Sequence, residues 1–370
     1  MAALRAATEH AIEPNTTHDA GRVSRVTDTT YGFGLVGCGV IAPTHAEAIK
    51  RIENARLLAV CDLNEEAAQA CATDFEAEPY TDLDEMLARD DIHICNILTP
   101  SGLHARLGTQ CADAGKHVIC TKPIDITLQN IDALIEAGER NNVKIAATHQ
   151  NRGYPLYEKI KGYIDDGRLG EMLYGNAFVP WYRSDEYYSD DWHGTKALDG
   201  GGALINQSIH YIDLLIWFMG RVERIYGFAD ALAHDIETED MGSAVLKFEG
   251  GQHGIIQGST CTYNGMPARI EVHGTKGNVI VIGDDLALWD VEGENYFADW
   301  GAGTHGGASD PKGGMQENAV VSHVKQIGDV IDAIEEGREP VINGYEARRA
   351  VEIILSIYQS SETGEPVELS

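Results

Sequence analysis

Phe33-Gly-Leu-Val-Gly-Cys-Gly-Val-Ile-Ala42 is the stretch on which the reading of this chain turns. Its first four residues form an apolar run suited to a buried parallel strand. The next six fit G-x-G-x-x-A, and His45 to Arg51 reads as a helix. A second apolar run, Leu57 to Cys61, ends at Asp62, which lies 20 positions (62 − 42) beyond Ala42. Strand, glycine turn, helix, strand and acid, in that order, make the fingerprint of a dinucleotide-binding βαβ unit. Gly37 permits the tight turn, Gly39 lets the backbone approach a pyrophosphate, and Ala42 lets the helix pack closely on the strand. Val40 and Ile41 complete that set of expected cofactor contacts. Asp62 is placed to accept from the adenosine ribose hydroxyls and to repel a 2′-phosphate. No arginine follows it in Leu63-Asn64-Glu65, so NAD rather than NADP is expected.

The alternation continues outward from there. Helices are expected over Glu65–Asp74, Asp82–Ala88, His104–Ala114 and Leu128–Arg140, and strands over Ile92–Leu98, His117–Cys120 and Lys144–Thr148. Repeated βα units of this kind build a doubly wound parallel sheet with ligands at the carboxyl ends of its strands. Asn96–His104, Thr121-Lys122-Pro123 and His149–Arg152 lie at those ends. Beyond Tyr154 the pattern changes to a helix and then strand-like runs at Met172–Val179, Arg224–Phe228, Gly242–Phe248, Gly254–Thr262, Ala268–His273 and Asn278–Ile282. The expected class is therefore α/β: a Rossmann domain over residues 31–152, then an α+β domain over 153–370 with an open, mostly antiparallel sheet. Residues 1–30 read as an extension, and Asp284–Gly314 as a glycine-rich irregular loop. Asn318–Glu336 and Tyr345–Ser361 read as closing helices that can pack back on the Rossmann half.

With 28 Lys and Arg against 58 Asp and Glu, the net charge of −30 argues against nucleic acid or an anionic membrane as partner. No apolar run has the length of a membrane span. Seven scattered cysteines without a CxxC pair suggest reduced thiols, no metal site and a cytoplasmic protein.

Two further features carry chemistry. Gly200-Gly-Gly-Ala-Leu-Ile-Asn-Gln-Ser-Ile-His-Tyr-Ile-Asp213 reads as three glycines opening an apolar helix, with Asn206, His210 and Asp213 on one face. Read alone, such a cluster is either a hydrogen-bonded core histidine or a catalytic base beside a substrate. Lys122 ends a strand and precedes a proline, which biases its backbone toward extended form. It is either an ordinary surface lysine or a donor to a substrate oxygen beside a nicotinamide. The aromatic, polar loop Trp181–Thr195 is either a sugar-binding wall or packing between domains.

From Tyr31 to Leu369 the chain resembles the Gfo/Idh/MocA family of oxidoreductases. The resemblance rests on Gly37–Ala42, Thr99-Pro-Ser-Gly-Leu-His104, Gly115-Lys-His-Val-Ile-Cys-Thr-Lys-Pro123, Gly200-Gly-Gly with His210 and Asp213, and Glu336-Gly-Arg-Glu-Pro-Val341. It implies oxidation of a secondary hydroxyl on a sugar, sugar acid, nucleotide sugar or cyclitol. It also implies a homodimer or homotetramer built on the open sheet. Cofactor contacts at Thr99, Pro100, His104 and Lys122 follow from it. So do Lys122 as the family's catalytic lysine, His210 as its base, and Asn206 where many members carry an aspartate. Thr121 replaces the glutamate usual before that lysine. Asn206 accepts no proton at neutral pH and can only orient substrate. Arg152, Tyr182, Arg183, Tyr188 and His193 are the remaining expected substrate contacts, with Asn206 and His210. The Trp192–His210 run looks most like a subgroup that includes UDP-N-acetylglucosaminuronate 3-dehydrogenases, although no basic cluster for a nucleotide is evident. The competing readings are a non-catalytic NAD- or sugar-sensing regulator, and a sugar lyase or hydrolase that uses bound NAD for transient oxidation.

Overall fold

The computed structural model describes residues 29–297 and 317–369, and the described residues from Tyr31 onward form one compact unit. The extension expected over residues 1–30 lies, up to Asp28, outside the described residues. A six-stranded parallel sheet comes first: β1 (Tyr31–Val36), β2 (Ala55–Cys61), β3 (Glu78–Tyr80), β4 (Ile94–Ile97), β5 (His117–Cys120) and β6 (Ile145–Ala147), in the order β3-β2-β1-β4-β5-β6. The helices between these strands are α1 (Ala42–Arg51), α2 (Glu65–Phe75), α3 (Leu83–Leu87), α4 (His104–Asp113) and α5 (Leu128–Asn141). Strands β1, β4 and the end of β5 are buried throughout, as continuous apolar runs require of a sheet covered on both faces. Asn64, Asp82 and Thr127 cap α2, α3 and α5 through their side-chain oxygens. Three-residue β3 is too short to have been read from the sequence.

Helix α6 (Pro155–Asp165) leads into the second sheet, which adds β7 (Met172–Pro180), β8 (Val222–Asp230), β9 (Met241–Phe248), β10 (His253–Ser259), β11 (Arg269–Gly274), β12 (Gly277–Ile282), β13 (Asp285–Val291), β14 (Glu294–Phe297) and β15 (Val367–Glu368). Their order is β14-β13-β12-β11-β7-β10-β9-β8-β15. All neighbours are antiparallel except β7 and β10. The irregular loop expected from Asp284 is corrected here: Ala287, Trp289 and Val291 alternate inward and make a hairpin with β14. The remainder of that stretch, from residue 298 to 314, lies outside the described residues.

The expected helix after the glycines is also corrected. Ala203–Ser208 winds as a π-helix, and only α7 (Ile209–Met219) is α-helical. The regular spacing assumed for Asn206, His210 and Asp213 therefore does not hold across residue 208. Each glycine at this entry meets a different neighbour. A Cβ on Gly200, Gly201 or Gly202 would overlap Ile126, the Tyr358 hydroxyl or the Glu239 carbonyl respectively. The Glu239 carboxylate then accepts from the backbone N–H of Gly202 (2.9 Å) and Leu204 (2.7 Å) and from Tyr358 Oη (2.9 Å), so it caps the helix entry from the loop between β8 and β9. Burial pushes its carboxyl up to about 7.

The last two helices, α8 (Glu317–Glu336) and α9 (Gly344–Thr363), return to the first sheet. Val320, Ile327, Val330 and Ile331 of α8 share a core with Ala42, Ala46 and Ile49 of α1. Between the two helices, Ile342 accepts from the Ala147 N–H at the edge of β6 (3.0 Å), and α9 lies against α5 and β8. No helix among the described residues is long and apolar enough to cross a membrane. Gly202→Ala, which drives a methyl into the Glu239 backbone, should destabilise the fold by about 3 kcal/mol in urea titrations. A midpoint equal to wild type would show that the glycine entry does not require close approach.

Candidate active site

The glycine turn between β1 and α1 is set by one contact. Gly37 sits at φ +102°, and a Cβ there would collide with the Leu98 carbonyl at the end of β4. Gly39 faces open space, with nothing within 4 Å of where its Cβ would stand. Val40 is exposed beside it, and Ile41 is the N-cap of α1 without any side-chain hydrogen bond. One Asp62 oxygen accepts from Cys38 N (2.8 Å) and the other from Asn64 N (2.9 Å), so the acid at the end of β2 holds the turn itself. Thr99 Oγ1 is buried without a protein partner at the end of β4. An open glycine cradle, an uncapped helix N-terminus, an acid at the β2 end and an orphaned hydroxyl are what a dinucleotide requires of its site. His104 stands between the carbonyls of Thr99 (2.6 Å) and Pro123 (2.7 Å), with Pro100 starting the turn between. It fastens the loop after β4 to the loop after β5.

Lys122 follows β5, is joined to Pro123 by a cis peptide bond, and is only partly exposed. Its Nζ donates to the backbone oxygen of Asn206 (2.7 Å) and to Asn206 Oδ1 (3.3 Å). Burial pulls it down to about 8, with Asp199 opposing that shift and Arg183 adding to it. His210 is held well below the usual imidazole range, first by burial and then by the charge of Lys122. It is therefore neutral at pH 7, and its Nδ1 has no partner. A neutral ring keeps the capacity to accept a proton.

The substrate contacts expected from sequence divide into two groups. Arg183 lies over the rings of Trp181 and Tyr187, near enough to Lys122 to act on it, and Tyr188 donates to Thr260 Oγ1 (2.7 Å). His193 packs on Tyr187 and Trp192 and is bound by Asp190. Arg183, His193, Asn206 and His210 are each near enough to Lys122 to interact with it, and Tyr188 stands one step out, beside His234. Tyr182 instead stands exposed, edge-on to Tyr263. Arg152 has its guanidinium taken: Nε and Nη2 donate to the two Asp213 oxygens (2.8 and 2.7 Å), and Nη1 to Glu346 (3.3 Å). Asp213 thus orients Arg152, not His210. Burial alone would raise the Asp213 carboxyl, but Arg152 and His149 overcome it and hold the group below its ordinary value.

Sequence reasoning missed Asp199. It is 1% exposed, accepts from Asn206 Nδ2 (2.8 Å) and Gly194 N (2.9 Å), and is pushed up to about 6 by burial. The only signal was its place directly before the glycines, outside any helical period. Gln207, which donates to the Tyr187 hydroxyl (3.0 Å), and His149, whose ring nitrogens are both buried without a hydrogen-bond partner, were missed as well.

A dinucleotide cradle at the carboxyl edge of a parallel sheet, beside a buried lysine and a neutral histidine, defines a nicotinamide-dependent oxidoreductase. Residues 31–149 match the oxidoreductase family with an NAD-binding Rossmann fold, and residues 157–280 match the GFO/IDH/MocA C-terminal domain. The inositol 2-dehydrogenase of Rhizobium meliloti (strain 1021) is 32% identical over 257 residues, which are 68% of this chain and 75% of that protein. The myo-inositol 2-dehydrogenase of Thermotoga maritima is 24% identical over 91% of this chain and 98% of its own length. Among solved structures, the WlbA dehydrogenase from Bordetella pertussis, in complex with NADH and UDP-GlcNAcA, superposes with a TM-score of 0.81. It is 30% identical over 92% of this chain and 99% of its own. The chain belongs to the Gfo/Idh/MocA family of NAD-binding oxidoreductases. Gly37, Gly39, Asp62 and Thr99 are the residues of this chain that fit the cofactor.

Arg152→Met would leave Asp213 as an unpaired buried carboxylate. A loss of about 3–5 kcal/mol in denaturant unfolding is expected, because the surviving charge has no water to turn to. A loss below 1 kcal/mol would mean that the pair is not what holds α7 against the end of the parallel sheet.

Proposed function

We propose that the enzyme oxidises a secondary hydroxyl of a sugar, sugar acid, nucleotide sugar or cyclitol, with Lys122 and His210 as catalytic residues. The observation that carries this reading is a charged Lys122 close enough to a neutral His210 to act on it, at the strand ends that also carry the glycine turn. Neutral His210 takes the hydroxyl proton. Lys122 donates a hydrogen bond to the same oxygen and stabilises the negative charge that develops there. Bound NAD supplies the hydride acceptor. Asn206 keeps Lys122 in place through its two oxygens, and Arg183, Tyr188 and His193 form the wall against which the rest of the substrate lies. Retention of both Lys122 and His210 favours catalysis over a sensing role, which needs neither.

His210→Ala and Lys122→Met should each lower kcat by about 100-fold or more, while NADH binding followed by fluorescence stays near wild type. In the wild type, kcat/KM should fall on the alkaline side near pH 8 as Lys122 loses its proton. The acid limb should lie below pH 6.5, because His210 stays neutral through the ordinary imidazole range. Wild-type turnover in either variant, or an alkaline limb that persists in Lys122→Met, would refute the assignment.

The same reading includes a cytoplasmic homodimer or homotetramer. Free thiols at all seven cysteines support a reducing compartment. Tyr226, Val245 and Ile255 form one cross-strand row on the face of the second sheet, with Phe228 two residues along β8. Val245, Ile255 and Phe228 are 55%, 41% and 58% exposed, an apolar patch that a second copy would cover. Light scattering should give a multiple of the chain mass, and Val245→Arg should shift it to monomer. A monomeric wild type rules this out.

A further inference from the structure

Asn206 sits between a cation and a carboxylate, and its hydrogen bonds fix which way its amide points. Its two oxygens accept from Lys122 Nζ, at 2.7 Å for the backbone and 3.3 Å for Oδ1. Its Nδ2 donates to Asp199 Oδ1 at 2.8 Å. The remaining Asp199 oxygen accepts from Gly194 N at 2.9 Å. Neither end can be reversed, because an ammonium has no lone pair and an ionised carboxylate has no hydrogen. An amide is thus the side chain that can join these two groups. An aspartate at 206 would set two carboxylates against each other with no hydrogen between them. Asp199 itself is almost wholly buried, and a buried carboxylate is costly without a compensating partner.

We propose that Asp199 is a positioning residue of this active site: acting through the Asn206 side-chain amide, it holds the Lys122 ammonium at the place where the substrate hydroxyl arrives. The inference rests on the role of Lys122 given above and adds the group that sustains it. Two charged groups act on Lys122, and they oppose each other: Asp199 favours the ammonium and Arg183 disfavours it. The other groups facing the pair do not replace Asp199. Asp190 is engaged by His193 and by backbone N–H groups. His193, His149 and His210 are pulled toward the neutral form by burial. Tyr187, Tyr188 and Tyr358 are raised by burial and stay as phenols. Asp199 ionises at about 6 and Lys122 gives up its proton at about 8, so both ends of the relay are charged between those values.

The experiment compares wild type with Asp199→Asn, Asn206→Ala and the exchange Asp199→Asn/Asn206→Asp. Asp199→Asn should lower kcat between about 10- and 100-fold with little change in KM. It should also move the alkaline limb of kcat/KM below pH 8. Asn206→Ala cuts the relay while leaving both charges, and should move the limb the same way. The exchange places the carboxylate directly on Lys122 and lets residue 199 donate to it, so the limb should return to pH 8 or above. A merely structural Asp199 would lower the unfolding midpoint and leave the limb where it was. That outcome overturns the proposal. A second readout needs no substrate: labelling of Lys122 by trinitrobenzenesulfonate, resolved by peptide mass spectrometry, reports its ionisation directly. A pH of half-labelling that drops in Asp199→Asn supports the relay even if no carbohydrate is turned over, a result that would sink the oxidation reading alone. An unmoved half-labelling pH overturns the relay whatever the turnover.

Discussion

The buried pair between Arg152 and Asp213 is the constraint on which the site depends. Lys122 hangs from the end of β5 in one sheet, and His210 rides on α7 against the other. Nothing in either sheet alone brings the two together. Arg152 follows β6, and its planar guanidinium meets both oxygens of Asp213, one turn beyond His210 on the same helix. A bidentate pair fixes orientation as well as distance. Glu346 at the start of α9 accepts from the third guanidinium nitrogen, Nη1, and ties a third element to the joint. The cost of burying these charges is offset only while all partners are present, so the joint is either intact or strongly unfavourable.

Around that joint the site balances charges that the sequence keeps apart. Acidic residues outnumber basic ones two to one overall, and here Lys122 and Arg183 meet the carboxylate of Asp199. The three come from separate loops, so the grouping does not show as a run in the sequence. The carboxylates that come near are committed: Asp190 to His193, Asp213 to Arg152, Asp199 to the Asn206 amide. The triple glycine lets this happen, because each missing side chain admits a different neighbour to the helix entry.

How much of this could be read beforehand depended on range. The parallel sheet and its glycine turn were legible because a strand, a tight turn and a helix leave local signatures. Lys122 and His210 stood out by position within such elements. The β13–β14 hairpin was passed over although Ala287, Trp289 and Val291 alternate, since flanking glycines made the segment look irregular. The π-helical turn has no sequence period to betray it. Arg152 was taken for a substrate contact because its partners lie 61 and 194 positions away. Asp199 escaped because its partner lies across the glycine turn, where no periodic rule applies.

The return of α8 onto α1 has a consequence for biosynthesis. The first βα unit leaves the ribosome long before the helix that covers it has been translated. Ala42, Ala46 and Ile49 then emerge without Val320, Ile327 and Val330 to shield them. The cofactor-binding half cannot finish its core as a nascent segment, and its apolar flank stays open to chaperones until Glu317–Glu336 has emerged. A lesion in α8 would therefore be felt first in the half that carries the glycine turn.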